Sequence, residues 1–232
     1  MMTDLMHFAS RVPSVPAERR MNISAMVAAR QRCTPRPSWS AIFTKAYALV
    51  AREVPDLRRI YFGLPWQRCV EFAHSTASVA VEIRYDGEPA VFPCVIDDPA
   101  SLPIAAISDT IREVTQAPAE SIAMFNVYAA AAKLPAPVRW VISTILFNMP
   151  VHRASRFGTF ALSAIGSHGT ELLHPLSAWP TLLTYGALAA DGTVAVRIIF
   201  DHRVMDGFTV ARVLTRLEET LNGAIVTELQ NG

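Results

Sequence analysis

Charge, cysteine and apolar runs of membrane length are all scarce in this chain of 232 residues. Only 18% of side chains are charged, and 21 basic against 20 acidic groups leave a net charge of +1. So even a balance offers no electrostatic grip on nucleic acid or a charged bilayer, and neither is expected as a partner. The three cysteines, Cys33, Cys69 and Cys94, are scattered and odd in number. That excludes a disulfide framework or a cysteine zinc site and suits a reducing compartment. The six histidines are spread out, none at ligand spacing from a second zinc ligand, so no metal is expected. The opening "MMTDLMHFASRVPSVP" carries Asp4 and has no apolar core, unlike a secretory signal. The most apolar stretch, "VRWVISTILFNMP", is too short to span a bilayer. No repeat, low-complexity tract or linker stands out. These absences describe one cytoplasmic domain over residues 1–232.

What is present is core-forming material: 51% of the residues are hydrophobic, enough to bury a full core. "SRVPSVPAERR" reads as extended because of its prolines, and "MNISAMVAAR" starts as a strand and turns helical. Trp39, Ile42, Phe43, Ala46 and Val50 recur at helical spacing, with Pro55 as the stop. Val79, Val81 and Ile83 alternate as in a strand, and Asp86-Gly87 turns the chain into "AVFPCVI". Ile104, Ile107, Ile111 and Val114 share one helical face, with Ser101 as the cap and Pro103 in the first turn. Two helices are expected near 119–133 and 136–149. In the second, Trp140, Ile142, Ile145 and Leu146 form a stripe suited to a core or an interface. The last third alternates again: Phe160, Leu162 and Ala164 oppose Thr159, Ala161 and Ser163. "TLLTYGAL" and "TVAVRIIF" read as strands joined at Asp191-Gly192. A final helix follows through Val210, Val213, Leu214, Leu217 and Leu221, and Gly223 ends it. The fold class is α/β (α+β), a mixed sheet covered by helices.

The chemistry concentrates in "FDHRVMDGFTVARVL". His202 stands where a strand hands over to a loop, Asp206 just before a helix, and Gly207 allows a tight backbone. A strand-end imidazole is held rigidly while its ring faces a cleft, and with a pKa near neutrality it can take a proton from a thiol, hydroxyl or amine. The same spacing also describes a plain surface histidine beside a helix cap, since aspartate is a good N-cap. His168 and His174 flank a loop after the Ser163 strand, as solvated residues or as the lining of a substrate path. Cys94 reads as a small buried hydrophobe, with no activating base or helix start beside it.

The pattern His-x-x-x-Asp-Gly between an apolar strand and an amphipathic helix resembles the signature of the chloramphenicol acetyltransferase-like superfamily. That superfamily includes the catalytic domains of the dihydrolipoyl acyltransferases of 2-oxoacid dehydrogenase complexes. "DHRVMDG" is similar to the dihydrolipoyl acyltransferase version, and "GFTVARVLTRLEETLN" to the end of chloramphenicol acetyltransferase. "GTFALSAIG" resembles the family's serine-bearing strand, and "AIFTKAYALVAREVPDLR" its early helix. The likeness is strong at 158–166 and 194–222, moderate at 38–115 and weak at 116–157.

The resemblance implies an acyltransferase that takes its acyl group from a coenzyme A thioester. His202 would be the general base and Ser163 the hydroxyl that meets the oxyanion. Asp206 would hold the loop through an arginine without carrying a proton. Departures go with it. "MMTDLMHF" lacks the arginine that should pair with Asp206, leaving Arg11, Arg203 or another basic residue as a substitute, or Asp206 as a helix cap alone. Ala164 stands where the dehydrogenase enzymes often carry asparagine, and "HPLSAWPTLLTYG" is shorter than their segment. The chain carries no lipoyl or subunit-binding domain, so no covalently bound lipoyl is expected on it. The resemblance also implies a homotrimer, or an assembly of trimers, with sites shared between subunits. A mean hydropathy of +0.27 leaves apolar surface for such contacts. The alternatives are acyl transfer to a lipoyl group on a separate protein and a catalytically inactive assembly subunit.

Overall fold

The computed structural model describes residues 2–164 and 170–231. The chain opens with α1 (Met2–Ala9), β1 (Ser14–Asn22), α2 (Ser24–Arg32) and α3 (Trp39–Glu53). A 3-10 turn at Pro55–Arg58 leads into a ribbon of β2 (Arg59–Phe62) and β3 (Arg68–Glu71). The hairpin of β4 (Thr76–Tyr85) and β5 (Glu88–Asp97) precedes α4 (Ile104–Gln116). Three helices follow: α5 (Ala123–Ala132), α6 (Ala136–Asn148) and α7 (Pro150–Phe157). The last third holds β6 (Phe160–Leu162), β7 (Thr181–Tyr185), β8 (Thr193–Asp201), α8 (Gly207–Asn222) and α9 (Ala224–Asn231). Six strands form one mixed sheet in the order β1-β8-β7-β6-β4-β5. The β4–β6 and β6–β7 pairs are parallel and the others antiparallel.

Strand alternation gives the sheet two unlike faces. One face presents Val79, Phe160, Leu162, Leu183, Val196 and Ile198 to the main core, where α3, α4 and α8 close over them. At its centre the fully buried Tyr47 ring stacks on Phe160 at 4.2 Å, and its hydroxyl bonds Thr181 Oγ1 at 2.6 Å. Removing the ring from water contributes about 2–3 kcal/mol, and the hydrogen bond spares the phenol a desolvation cost. The other face is small-featured: Ala161, Leu182 and Ile199 form a minor cluster with Trp179.

The local signals act as their chemistry requires. Ser38 caps α3, its Oγ accepting from Ala41 N–H at 3.1 Å. Asp86 and Gly87 both have positive φ, 52° and 79°, as a tight hairpin turn demands. Ser101, by contrast, does not cap α4. Its hydroxyl donates back to Asp98 O, and Glu228 Oε1, reaching over from α9, accepts from Ile104 N–H at 2.7 Å. A charged group from a distant helix thus replaces the local cap. At the start of β6, Gly158 has φ 82° and ψ 167°, a region essentially reserved for glycine. A Cβ there would lie 2.7 Å from Thr76 O, so this glycine lets the chain drop from α7 directly alongside β4. The Trp140–Leu146 stripe is not core in this chain: Trp140, Ile142 and Ile145 are 46%, 40% and 54% exposed. Among the described residues, no helix is long and apolar enough to cross a membrane.

Candidate active site

His202 follows directly on β8. Its backbone N–H donates to Pro13 O at 3.0 Å, which fixes the strand end, and the exposed ring lies 5.7 Å from the Phe200 ring. Two residues frame it: Asp201, which sequence reasoning passed over, and Arg203, which it considered only as a partner for Asp206. Asp201 is buried, and its carboxylate takes Nε and Nη2 of Arg203 at 2.9 and 2.7 Å together with Arg203 N–H at 3.0 Å. The same guanidinium packs over Tyr61 of β2, 4.2 Å from the ring centroid. The strand end is therefore clamped on both sides of the histidine. The contact is made in the turn after β8, where Val204 N–H donates back to Asp201 O and brings Arg203 onto the Asp201 carboxylate.

Asp206 is the N-cap of α8. Its Oδ1 accepts from Thr209 N–H at 2.7 Å, and that bond, then the Thr209 hydroxyl, holds the exposed carboxyl below its ordinary range. Arg212 and His202 add a smaller Coulombic pull in the same direction. Neither substitute arginine pairs with it. Arg203 is committed to Asp201, and Arg11 makes no ion pair among the described residues; the nearby cation is Arg212. Gly207 is not there for a tight backbone either. Its φ is not positive, and an added Cβ would meet nothing within 4 Å.

Ser163 follows β6, its N–H donating to Leu183 O at 3.1 Å. It has the strand parity of Ala161, away from Phe160 and Leu162, and it lines a cavity of about 510 Å³ on the minor face of the sheet. One wall of that cavity is firmly built. Trp179 Nε1–H donates to Phe157 O, and the buried Arg153 donates to Ala178 O with its guanidinium 4.4 Å from the Phe147 ring. Burial pulls the Arg153 pKa down to about 10. His174 reaches the other end of the sheet, where its Nε2 lies 3.0 Å from Ser14 Oγ; Ser14 pairs with Asp201, so this loop histidine stands near the His202 corner. His168 lies outside the described residues. Cys94 is buried in the core, and burial pushes its thiol up to about 11.

The register sets the two proposed reactive side chains apart. Leu162 pairs with Leu183, so Ser163 lies level with Thr184 and, across β7, with Arg197 of β8. β8 runs the other way, and His202 is five residues beyond Arg197. Two strand spacings and five residues of rise put them about 19 Å apart within one chain. Ser163 is level with the middle of β8, and His202 lies beyond its end.

Comparison with known proteins supplies the class. No protein-family model matches the sequence, and no curated protein matches it. Solved structures do match over nearly the whole chain. Dihydrolipoamide acetyltransferase of Azotobacter vinelandii, studied for a serine, a histidine and an asparagine in its catalytic mechanism, is 17% identical with a TM-score of 0.68, covering 97% of this chain and 88% of that one. The cubic core of a pyruvate dehydrogenase multienzyme complex gives 17% identity and 0.66 over the same shares. A chloramphenicol acetyltransferase gives 16% identity and 0.54, covering 94% of each chain. The chain has the chloramphenicol acetyltransferase-like fold, a mixed six-stranded sheet with helices. Within that class it superimposes better on the dihydrolipoamide acetyltransferase catalytic core than on chloramphenicol acetyltransferase.

Proposed function

We propose that this chain is a coenzyme-A-dependent acyltransferase, residues 1–232 forming a single catalytic domain. His202 takes the proton from an acceptor thiol, hydroxyl or amine as that group attacks the thioester carbonyl. Ser163 donates its hydroxyl to the oxyanion that forms. The carbon–sulfur bond then breaks, and His202 returns the proton to the coenzyme A thiolate. The step is complete without a metal. Asp206 orders the loop as the cap of α8 and moves no proton. In the Azotobacter enzyme the histidine and asparagine named for catalysis are four positions apart, as are His202 and Asp206. A cytoplasmic setting, with reduced thiols and coenzyme A thioesters at hand, fits this chemistry.

The observation that carries the reading is the separation of Ser163 and His202. A serine and a histidine about 19 Å apart cannot act on one carbonyl. Copies arranged head to tail around a threefold axis can bring the histidine of one to the serine of the next. The active form is then a homotrimer or an assembly of trimers. The better match to dihydrolipoamide acetyltransferase favours one acceptor class in particular, a lipoyl thiol on a separate protein.

The test is release of coenzyme A from acyl-coenzyme A thioesters with and without reduced lipoamide, small alcohols and amines. Acceptor-dependent release that His202→Ala abolishes is expected. No release with any acceptor, from a chain shown to be folded and trimeric, would leave the inactive assembly subunit as the better description.

A further inference from the structure

The cavity beside Ser163 is larger and more apolar than an acetyl group requires. Its floor is the minor face of the sheet, where Ser78, Ala80 and Ala161 are small and leave the space open. Its roof is α6, which turns Ile142, Leu146 and Phe147 toward that floor. No carboxylate is among the lining side chains; the charged ones are Arg139 and Arg156, and most of the rest are apolar. About 510 Å³ of such space lies within the range of small-molecule sites.

We infer that this cavity holds the acyl chain, and that the donor carries a straight aliphatic chain of medium length. The inference rests on the reading of Ser163 as the oxyanion donor. If the carbonyl oxygen points at Ser163, the acyl carbons begin within a bond or two of that hydroxyl, at the cavity wall. The other substituent of the carbonyl, the coenzyme A thiol arm, ends in phosphates; apart from Arg139 and Arg156 the cavity offers no charged lining group, and its mainly apolar surface suits the chain better than that arm. The polar arm therefore leaves toward solvent and the chain goes inward. A methylene displaces roughly as much as a water, about 30 Å³, so a twelve-carbon chain takes about 360 Å³ and fits within the 510 Å³ of the cavity. Each methylene removed from water tightens binding about three- to fourfold. The end wall made by Trp179 and Phe157 is backed by the buried Arg153 and held by hydrogen bonds and ring contacts, which gives the pocket a fixed depth.

The experiment is calorimetric titration of acetyl-, octanoyl- and dodecanoyl-coenzyme A into the wild-type chain and into His202→Ala. Dodecanoyl-coenzyme A should bind at least a hundredfold tighter than acetyl-coenzyme A in both. Filling the cavity from the floor with Ala80→Phe, or from the roof with Ser143→Phe, should bring that ratio below tenfold. Equal affinity at every chain length overturns the inference, as does a preference that both filled, folded variants keep. The two readings fail separately. Length-dependent binding without transfer from any thioester removes the enzyme and keeps the pocket, whereas transfer with a flat length profile removes the pocket and keeps the enzyme.

Discussion

Arg203 holds the buried Asp201 in a two-pronged ion pair, Nε and Nη2 at 2.9 and 2.7 Å from the two carboxylate oxygens, with His202 between them in the chain. The pair fixes the backbone from which the imidazole projects, and Tyr61 backs the guanidinium. Arg203→Ala leaves an uncompensated carboxylate in a buried position, a loss of about 2–4 kcal/mol. Urea unfolding should show it, and Arg203→Lys should recover only part because lysine cannot reproduce the fork. If the clamp also positions His202, turnover by Arg203→Lys should fall more than its Michaelis constant rises. A variant as stable as the wild type would show the pair to be inconsequential.

Ser163→Ala removes a donor that strengthens its bond only as the oxyanion forms. The expected result is a fall in kcat of about a hundred- to a thousandfold with little change in KM. A change confined to KM would make Ser163 a ground-state contact. His202→Ala should abolish transfer and keep the far-UV circular dichroism, since the exposed ring contributes little packing.

Most of the sheet was legible because its strands carry the alternation that a two-faced sheet imposes: Val79, Val81 and Ile83 on β4, and Val194, Val196 and Ile198 on β8, all lie in the core. The Asp86-Gly87 turn and the Gly223 stop were legible for the same local reasons. What escaped depends on distant groups. The cap of α4 comes from Glu228, 124 positions away, and no local pattern announces it. β2 and β3 are four residues each, too short to show a period, and α9 follows α8 with only Gly223 between. At the candidate site the residue types were readable, but their separation was not, because it depends on register and strand direction across β6, β7 and β8. The α6 stripe, expected in a core or an interface, is not core in this chain, because helical periodicity records an apolar face and not what covers it.

Asp206 supports a pH prediction whose sign follows from its hydrogen bonds. Its carboxyl is held below the ordinary range in the folded chain, so its contribution is present above the unfolded pKa, near 4, and is lost as pH falls through the lower folded value. Asparagine is an equally good N-cap, so Asp206→Asn should match the wild type in urea at pH 7 and be less sensitive to acid below about pH 4. It should also retain transfer, since the residue carries no proton in the proposed step. Loss of activity at unchanged stability would assign the charge itself a part in catalysis.

Cysteine labelling tests the packing of the sheet. Cys69 is exposed, Cys33 half-buried, and Cys94 buried with its thiol raised to about 11. At pH 8 an alkylating reagent should modify Cys69 rapidly and Cys94 only on unfolding. Raised in the fold, the Cys94 pKa lowers stability as pH climbs from its unfolded value, about 8.5, toward 11. Cys94→Ser, which does not titrate there, should flatten that part of the stability profile. Fast labelling of Cys94 in the folded chain would mean that β5 is open.

The separation of Ser163 and His202 makes complementation the sharpest test of the assembly. In a ring of identical subunits each site draws its histidine from one copy and its serine from a neighbour. His202→Ala subunits alone supply no base, and Ser163→Ala subunits alone supply no oxyanion donor. Co-refolded in equal amounts, they place an intact histidine beside an intact serine at about a quarter of the interfaces, from two independent halves. About a quarter of wild-type turnover per site should therefore return, and none should return when folded homotrimers are mixed without subunit exchange. A site built within one chain predicts no recovery under either protocol. Light scattering on the same samples completes the argument, because a fully active monomer is incompatible with two groups about 19 Å apart on one sheet.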